Sequence, residues 1–229
     1  MERLLVFLSQ TECRDKVLKV MAYLANLLRA ISSNKEVEER LAGVFHAARD
    51  ARKVFRLGKS LNELHAILSI SRSSDLTHSD KTYHILSRAG FMVYWLLDNI
   101  YILSLYDIIV FDYSPLAKWQ NGAWFIALLL ALLLNLRNLL KSFTEEAMLK
   151  DTAVGKMTER EVADKLDEIS AQRYSILLNI AKTLGDMIPA ANWAELPFAI
   201  LGKQFSEKWC ALGGFVAGVI GGCQLWPSS

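Results

Sequence analysis

The sequence predicts an all-α, membrane-associated protein, and three observations lead there. No proline precedes Pro115, and only Gly43, Gly58 and Gly90 interrupt the first 114 residues, so helix breakers are scarce. Apolar residues recur every three or four positions, and no alternating run suggests a strand. Hydrophobic residues make up 52% of the 229 and mean hydropathy is +0.21, yet 22% of the chain is charged. A disordered chain would be poorer in apolar residues, and a wholly embedded one would carry fewer charges.

Ser9 with Glu12 has the spacing of a capping box and opens a first helix, along which Val17, Val20, Met21, Leu24, Leu27, Leu28 and Ile31 recur. Ser32-Ser33-Asn34 ends it. A second helix starts near Glu36, passes Leu64 and stops in the Ser/Asp/Thr-rich stretch 69–79. Together these form a region 1–89 that faces the cytosol. Residues 90–140 read as a partly embedded hydrophobic hairpin made of two apolar segments: 90–111, which carries Asp98, Asn99 and Asp107, and 119–140. A spanning helix needs about 20 mostly apolar residues, so each is a candidate. Region 141–208 is charged and helical. In it, Thr158 with Glu161 caps a helix reaching Gly185, and Pro189 and Pro197 then predict a broken segment.

Residues 209–226 read as a Gly-rich transmembrane helix, giving one to three embedded helices in all. Gly214, Gly218 and Gly222 fall four apart, a spacing that lets another helix approach closely in lipid. The alternative is a flexible tail, against which stand the lack of charge and the flanking Trp209 and Trp226.

Charge is uneven. Residues 1–89 hold 15 Lys/Arg against 10 Asp/Glu, whereas 141–229 hold 9 against 11. The basic excess concentrates in the helix 39–68. With Arg49 at zero on a wheel of about 100° per residue, Arg52, Lys53, Arg56 and Lys59 fall near 300°, 40°, 340° and 280°. Val44, Ala48, Ala51, Val54, Phe55, Gly58 and Leu61 lie opposite. Such a helix suits an anionic phospholipid surface: Arg49, Arg52, Lys53, Arg56 and Lys59 meet headgroups while Val44, Ala48, Ala51, Val54, Phe55 and Leu61 insert. The competing interpretation is a bundle helix whose basic side is solvated. No nucleic-acid fold signature accompanies the basic run, so nucleic acid is not an expected partner.

Further motifs make the chain identifiable. Phe7-Leu8, Thr11-Glu12-Cys13-Arg14-Asp15-Lys16 and Ala51-Arg52-Lys53-Val54-Phe55-Arg56-Leu57-Gly58-Lys59 resemble the two N-terminal signatures of the peroxin-eleven family of peroxisomal membrane elongation factors. Met92-Val93-Tyr94-Trp95-Leu96-Leu97-Asp98 and Gly221-Gly222-Cys223-Gln224-Leu225-Trp226-Pro227 are similar in order and position. The resemblance implies a peroxisomal membrane protein that inserts an amphipathic helix, elongates the organelle, self-associates into homo-oligomers, and works with a dynamin-type GTPase and its membrane adaptor. Arg52, Phe55, Arg56, Gly58 and Lys59 carry over from the motif.

Other functions find less support. His46, His65, His78 and His84 have no zinc-protease spacing, and neither a nucleophile elbow nor a phosphate loop occurs, so no catalytic residue is expected. Cys13, Cys210 and Cys223 form no C-x-x-C pair, so neither a disulfide scaffold nor a metal site is expected, and nothing calls for a cofactor. The N-terminus has no secretory-signal pattern, so organelle import would use an internal signal. A small-metabolite channel is the alternative: Asp98 and Asp107 are costly in lipid unless they line a polar path, pair between helices, or stay hydrated at the interface.

Overall fold

The computed structural model describes residues 1–152 and 157–227 and contains helices and no strand among them. In chain order these are α1 (Glu2–Ser9), α2 (Thr11–Ile31), α3 (Lys35–Phe55), α4 (Lys59–Arg72), α5 (His78–Leu105), α6 (Tyr113–Thr152), α7 (Glu159–Trp193), α8 (Leu196–Leu201) and α9 (Glu207–Gln224). They pack in the sequence α3, α2, α9, α7, α6, α5, and α5 meets α3 again to close a ring. α4 continues from α3 and packs along α5.

Caps explain most boundaries. The Asn34 side chain accepts from the amides of Glu36 and Val37, starting α3. Both arms of the Thr158–Glu161 capping box form at α7. Three expectations are corrected. Ser9 ends α1 rather than capping α2, and its hydroxyl donates to the Val6 carbonyl at 2.8 Å. The second predicted helix breaks at Gly58, whose φ of +76° is the left-handed conformation that glycine adopts without a Cβ penalty. Pro189 lies inside α7, which runs unbroken to Trp193.

Pro189 has no N–H to offer the carbonyl four residues back, that of Gly185. That oxygen faces α9: a Cβ built on Gly213 would meet it at 2.5 Å. The close approach accounts for the small residues of α9, which form two rows. Gly213 and Ala217 face α7, Gly221 meets Lys16 of α2 and Lys182 of α7, and Gly214 and Gly218 face Tyr23 and Val20 of α2. Gly222, expected on the second row, has open space around it. The stripe therefore seats α9 between two helices of its own chain.

Many charged and polar side chains are buried, while large apolar ones are exposed. Asp15, Lys19, Lys53, Arg56, Asp98 and Gln120 are buried, whereas Leu61, Leu140, Val54, Ile126 and Trp209 are more than half exposed. No exposed Lys, Arg, Asp or Glu occurs within 17–31 of α2, 41–71 of α3 and α4, 89–106 of α5, 119–140 of α6, 169–194 of α7 or 209–224 of α9. At 1.5 Å per residue the α6 stretch is about 33 Å long, close to the ~30 Å of a bilayer's hydrocarbon. α6 is the helix that is long and apolar enough to cross a membrane by itself, and only 17% of its most apolar window is buried in the protein.

Beyond this apolar wall, α5 is tied to α6 through Asp80. Its carboxylate accepts from Lys141 at 2.7 Å, from Thr77 at 2.8 Å and from Arg137 at 3.1 Å. The bonds from Lys141, then Thr77 and Arg137, hold its pKa well below the usual carboxylate range. A depressed carboxylate stabilises the fold above its unfolded value of about 3.9 and stops doing so as pH falls through the folded one. Asp80→Asn therefore lowers the melting temperature in detergent at pH 7, and the gap from wild type shrinks once the melts are run below about pH 4. Gly213→Val, which forces α7 and α9 apart, is expected to cost about 1–3 kcal/mol in the same melts, while Gly222→Ala leaves them unchanged.

Candidate functional site

The ring encloses a chamber of about 290 Å³, contacted by α2, α3, α5, α6 and α7. α3 supplies its cations. The wheel places Arg49, Arg52, Lys53 and Arg56 on one side, and the fold turns that side inward rather than toward solvent or headgroups. Arg52 donates to Asp15 of α2 at 3.1 Å. Arg56 donates to the Tyr94 hydroxyl at 3.1 Å and lies 3.5 Å from Asp98. Lys53 sits 4.0 Å over the Tyr101 ring, and Arg49 lies near Phe45 and Asp50. Lys59, the residue after Gly58, reaches back to Glu12 at 3.5 Å and lies over Trp95. The sequence could not orient this face, because a wheel fixes angles within a helix and not which side meets its neighbours.

The opposite face of α3 and α4 is correspondingly exposed. Val44, Ala51, Val54 and Leu61 point outward, and Phe55 is half-buried. Ala48 departs from its expected inserting role: it is buried with Phe45, Ala22 and Ala25 where α3 crosses α2.

Two groups that the helical wheel did not reveal complete the interior. Lys19 of α2 forms a 2.6 Å ion pair with Asp186 of α7 and lines the chamber. Gln120 of α6 donates to Asp98 at 2.5 Å. Asp98 itself is fully buried, which decides its reading: it pairs between helices and is not hydrated at an interface. Asp107 is exposed in the turn after α5, at φ +56°. Tyr23, Tyr94, Trp124 and Trp193 form an aromatic wall, Tyr94 stacking on Trp124 at 5.8 Å and Trp193 on Tyr23 at 6.3 Å.

The lining holds five cationic side chains and no carboxylate. The acids that balance them, Asp15, Asp50, Asp98 and Asp186, are not among the lining residues. Such a cavity favours anions over cations by simple electrostatics. Among the described residues no cluster of three His, Cys, Asp or Glu has the geometry to hold a metal ion.

Comparison with known proteins agrees with the motifs. Residues 1–226 match the family model described as peroxisomal biogenesis factor 11 (PEX11). The chain is 24% identical over 246 residues to a peroxisomal membrane protein 11 homolog of Dictyostelium discoideum, covering 99% of this chain and 94% of that protein. It is 26% identical over 233 residues to the peroxisomal membrane protein PMP27 of Saccharomyces cerevisiae, with the same two coverages. No solved structure matches it. With a family model spanning nearly every residue and the N-terminal signatures lying where the ring closes, the chain belongs to the peroxisomal biogenesis factor 11 family.

Proposed function

We propose that this peroxisomal membrane protein remodels and elongates the membrane by embedding its apolar-walled bundle in it as a multi-pass, non-enzymatic unit. The observation that carries the proposal is the charge-free exterior shared by α2, α3, α4, α5, α6, α7 and α9. A water-soluble bundle turns such faces inward; here they face out, where only lipid or another protein satisfies them. Val44, Ala51, Val54 and Leu61 then insert into lipid as part of that wall, displacing acyl chains and so changing the area the leaflet must cover. The basic side chains of α3 serve the interior, which shifts the mechanism from one helix adsorbed on anionic headgroups to a whole bundle inserted among acyl chains.

Anionic phospholipid remains the proposed contact of the charged residues outside the wall, among them Lys35, Arg40 and Lys208. Self-association into homo-oligomers uses the same apolar exterior. A dynamin-type GTPase and its membrane adaptor act on the elongated membrane, with the N-terminus on the cytosolic side.

A second reading, passage of small solutes, is favoured by one observation: five helices line a chamber that holds five cationic side chains.

Both readings are testable with the full chain. Val54→Lys with Leu61→Lys and Leu64→Lys places charge on the outer wall; the protein should become extractable by carbonate and overexpression should no longer elongate peroxisomes, whereas Glu145→Lys beyond the wall should change neither. Replacing Arg52, Lys53 and Arg56 together by Glu is expected to abolish the cooperative melt, because it sets like charges against Asp15 and Asp98. A variant that melts like wild type but no longer binds anionic vesicles would instead return those residues to the membrane surface. Single-channel conductance in planar bilayers that Asp98→Asn alters would establish the solute reading, and silent bilayers would remove it.

A further inference from the structure

We propose that the chamber is a binding site for a small oxyanion, a phosphate or carboxylate group, held by α3 and closed in by the aromatic wall. The site requires the ring to be closed but is independent of whether the bundle bends the membrane or passes solutes.

Three observations carry it. Charge comes first. Arg52, Arg56 and Lys19 are matched by Asp15, Asp98 and Asp186, but Arg49 and Lys53 have only Asp50 between them, at 3.5 and 3.9 Å. The enclosure therefore holds one cation more than its carboxylates neutralise, in a place where an uncompensated charge is costly. The second is an unused donor. Arg56 is 7% exposed and lines the chamber, yet its Nε is enclosed without a hydrogen-bond partner. Buried guanidinium donors are normally satisfied, and an oxyanion is the group whose several lone pairs suit a guanidinium fork. The third is access. Arg49 and Trp193 are each about one-third exposed, at 36%, whereas the side chains of Lys19, Lys53 and Arg56 are less than a tenth exposed. The cationic cluster thus has a partly exposed rim and a buried floor, and at Trp193 the rim lies where α7 gives way to α8.

Size and walls narrow the ligand. A volume near 290 Å³ suits a phosphate or a small organic acid. Gln120 and Asn121 offer amide groups beside the cations, and Trp124 with Trp193 offers flat faces to an organic portion. Two sources supply this chemistry: a soluble acid or phosphate entering from the aqueous end, and the phosphate of an anionic lipid lying at the rim.

The test uses the purified full chain in nanodiscs, titrated with inorganic phosphate and followed by calorimetry and by tryptophan fluorescence, since Trp124 and Trp193 line the site. In discs of phosphatidylcholine alone, saturable one-site binding is expected, with both signals sharing a midpoint. Arg49→Gln, at the partly exposed rim, should weaken it at least tenfold while leaving the melting temperature near wild type, and Arg49→Lys should restore most of it. If that variant fails to fold, Asn121→Leu provides the same comparison from α6 without removing a charge. Discs containing phosphatidic acid separate the sources: saturable binding in both disc types assigns a soluble anion, and binding lost only with phosphatidic acid assigns the lipid phosphate. Silence in phosphatidylcholine discs, or equal affinity in Arg49→Gln and wild type, overturns the site.

Discussion

Arg56 and Asp98 meet between α3 and α5, and much of the molecule is arranged around that meeting. Asp98 has no exposed surface and Arg56 almost none, so neither charge can be hydrated. Each must be held by its neighbours, since removing one partner from a buried pair typically costs about 3–5 kcal/mol. Tyr94 binds the guanidinium and Gln120 binds the carboxylate, which brings α6 into the same cluster. α3 makes few backbone contacts with α5, so these long side chains close the ring where helix surfaces do not. Asp15 with Arg52 and Asp186 with Lys19 repeat the arrangement toward α2 and α7.

This interior explains the exterior. Charges drawn inward leave α3 and α4 with an outer face that has no exposed Lys, Arg, Asp or Glu from 41 to 71, although the same stretch contains seven such residues. Among the described residues, only α6 reads as a spanning helix from its own composition; its neighbours acquire comparable outer faces by pairing their charges with one another. Measuring hydropathy along the chain averages the two faces and misses the segregation. A near-normal charge content and a lipid-compatible surface are therefore compatible in one fold.

How much was legible follows from the same segregation. The all-α class, the α2, α3 and α7 starts within a few residues, the apolar segments and the close-packing role of Gly214 and Gly218 could be read from local pattern. The break at Gly58 was missed because one glycine inside a strong amphipathic run is as often tolerated as it is a terminator. Pro189 reads locally as a helix end, because its accommodation depends on the close approach of Gly213 in α9. Helical spacing puts Arg49, Arg52, Lys53 and Arg56 on one side of the helix, but the direction of that side depends on Asp15, Tyr94, Asp98 and Tyr101, which α2 and α5 bring from distant positions. Lys19 and Gln120 carried no local signal at all.

Gly58 joins α3 to α4 in the left-handed conformation. A Cβ there would meet nothing, so the position is constrained by backbone handedness and not by space. On its far side α4 packs along α5, with Lys59 at its start reaching Glu12 of α2, while α3 is tied into the ring by Arg52, Lys53 and Arg56. The joint thus divides a continuous amphipathic stretch into two cooperative units of unequal protection. Amide hydrogens of α4 would exchange through a local opening that leaves the ring intact, whereas those of α3 exchange only when the buried charges separate.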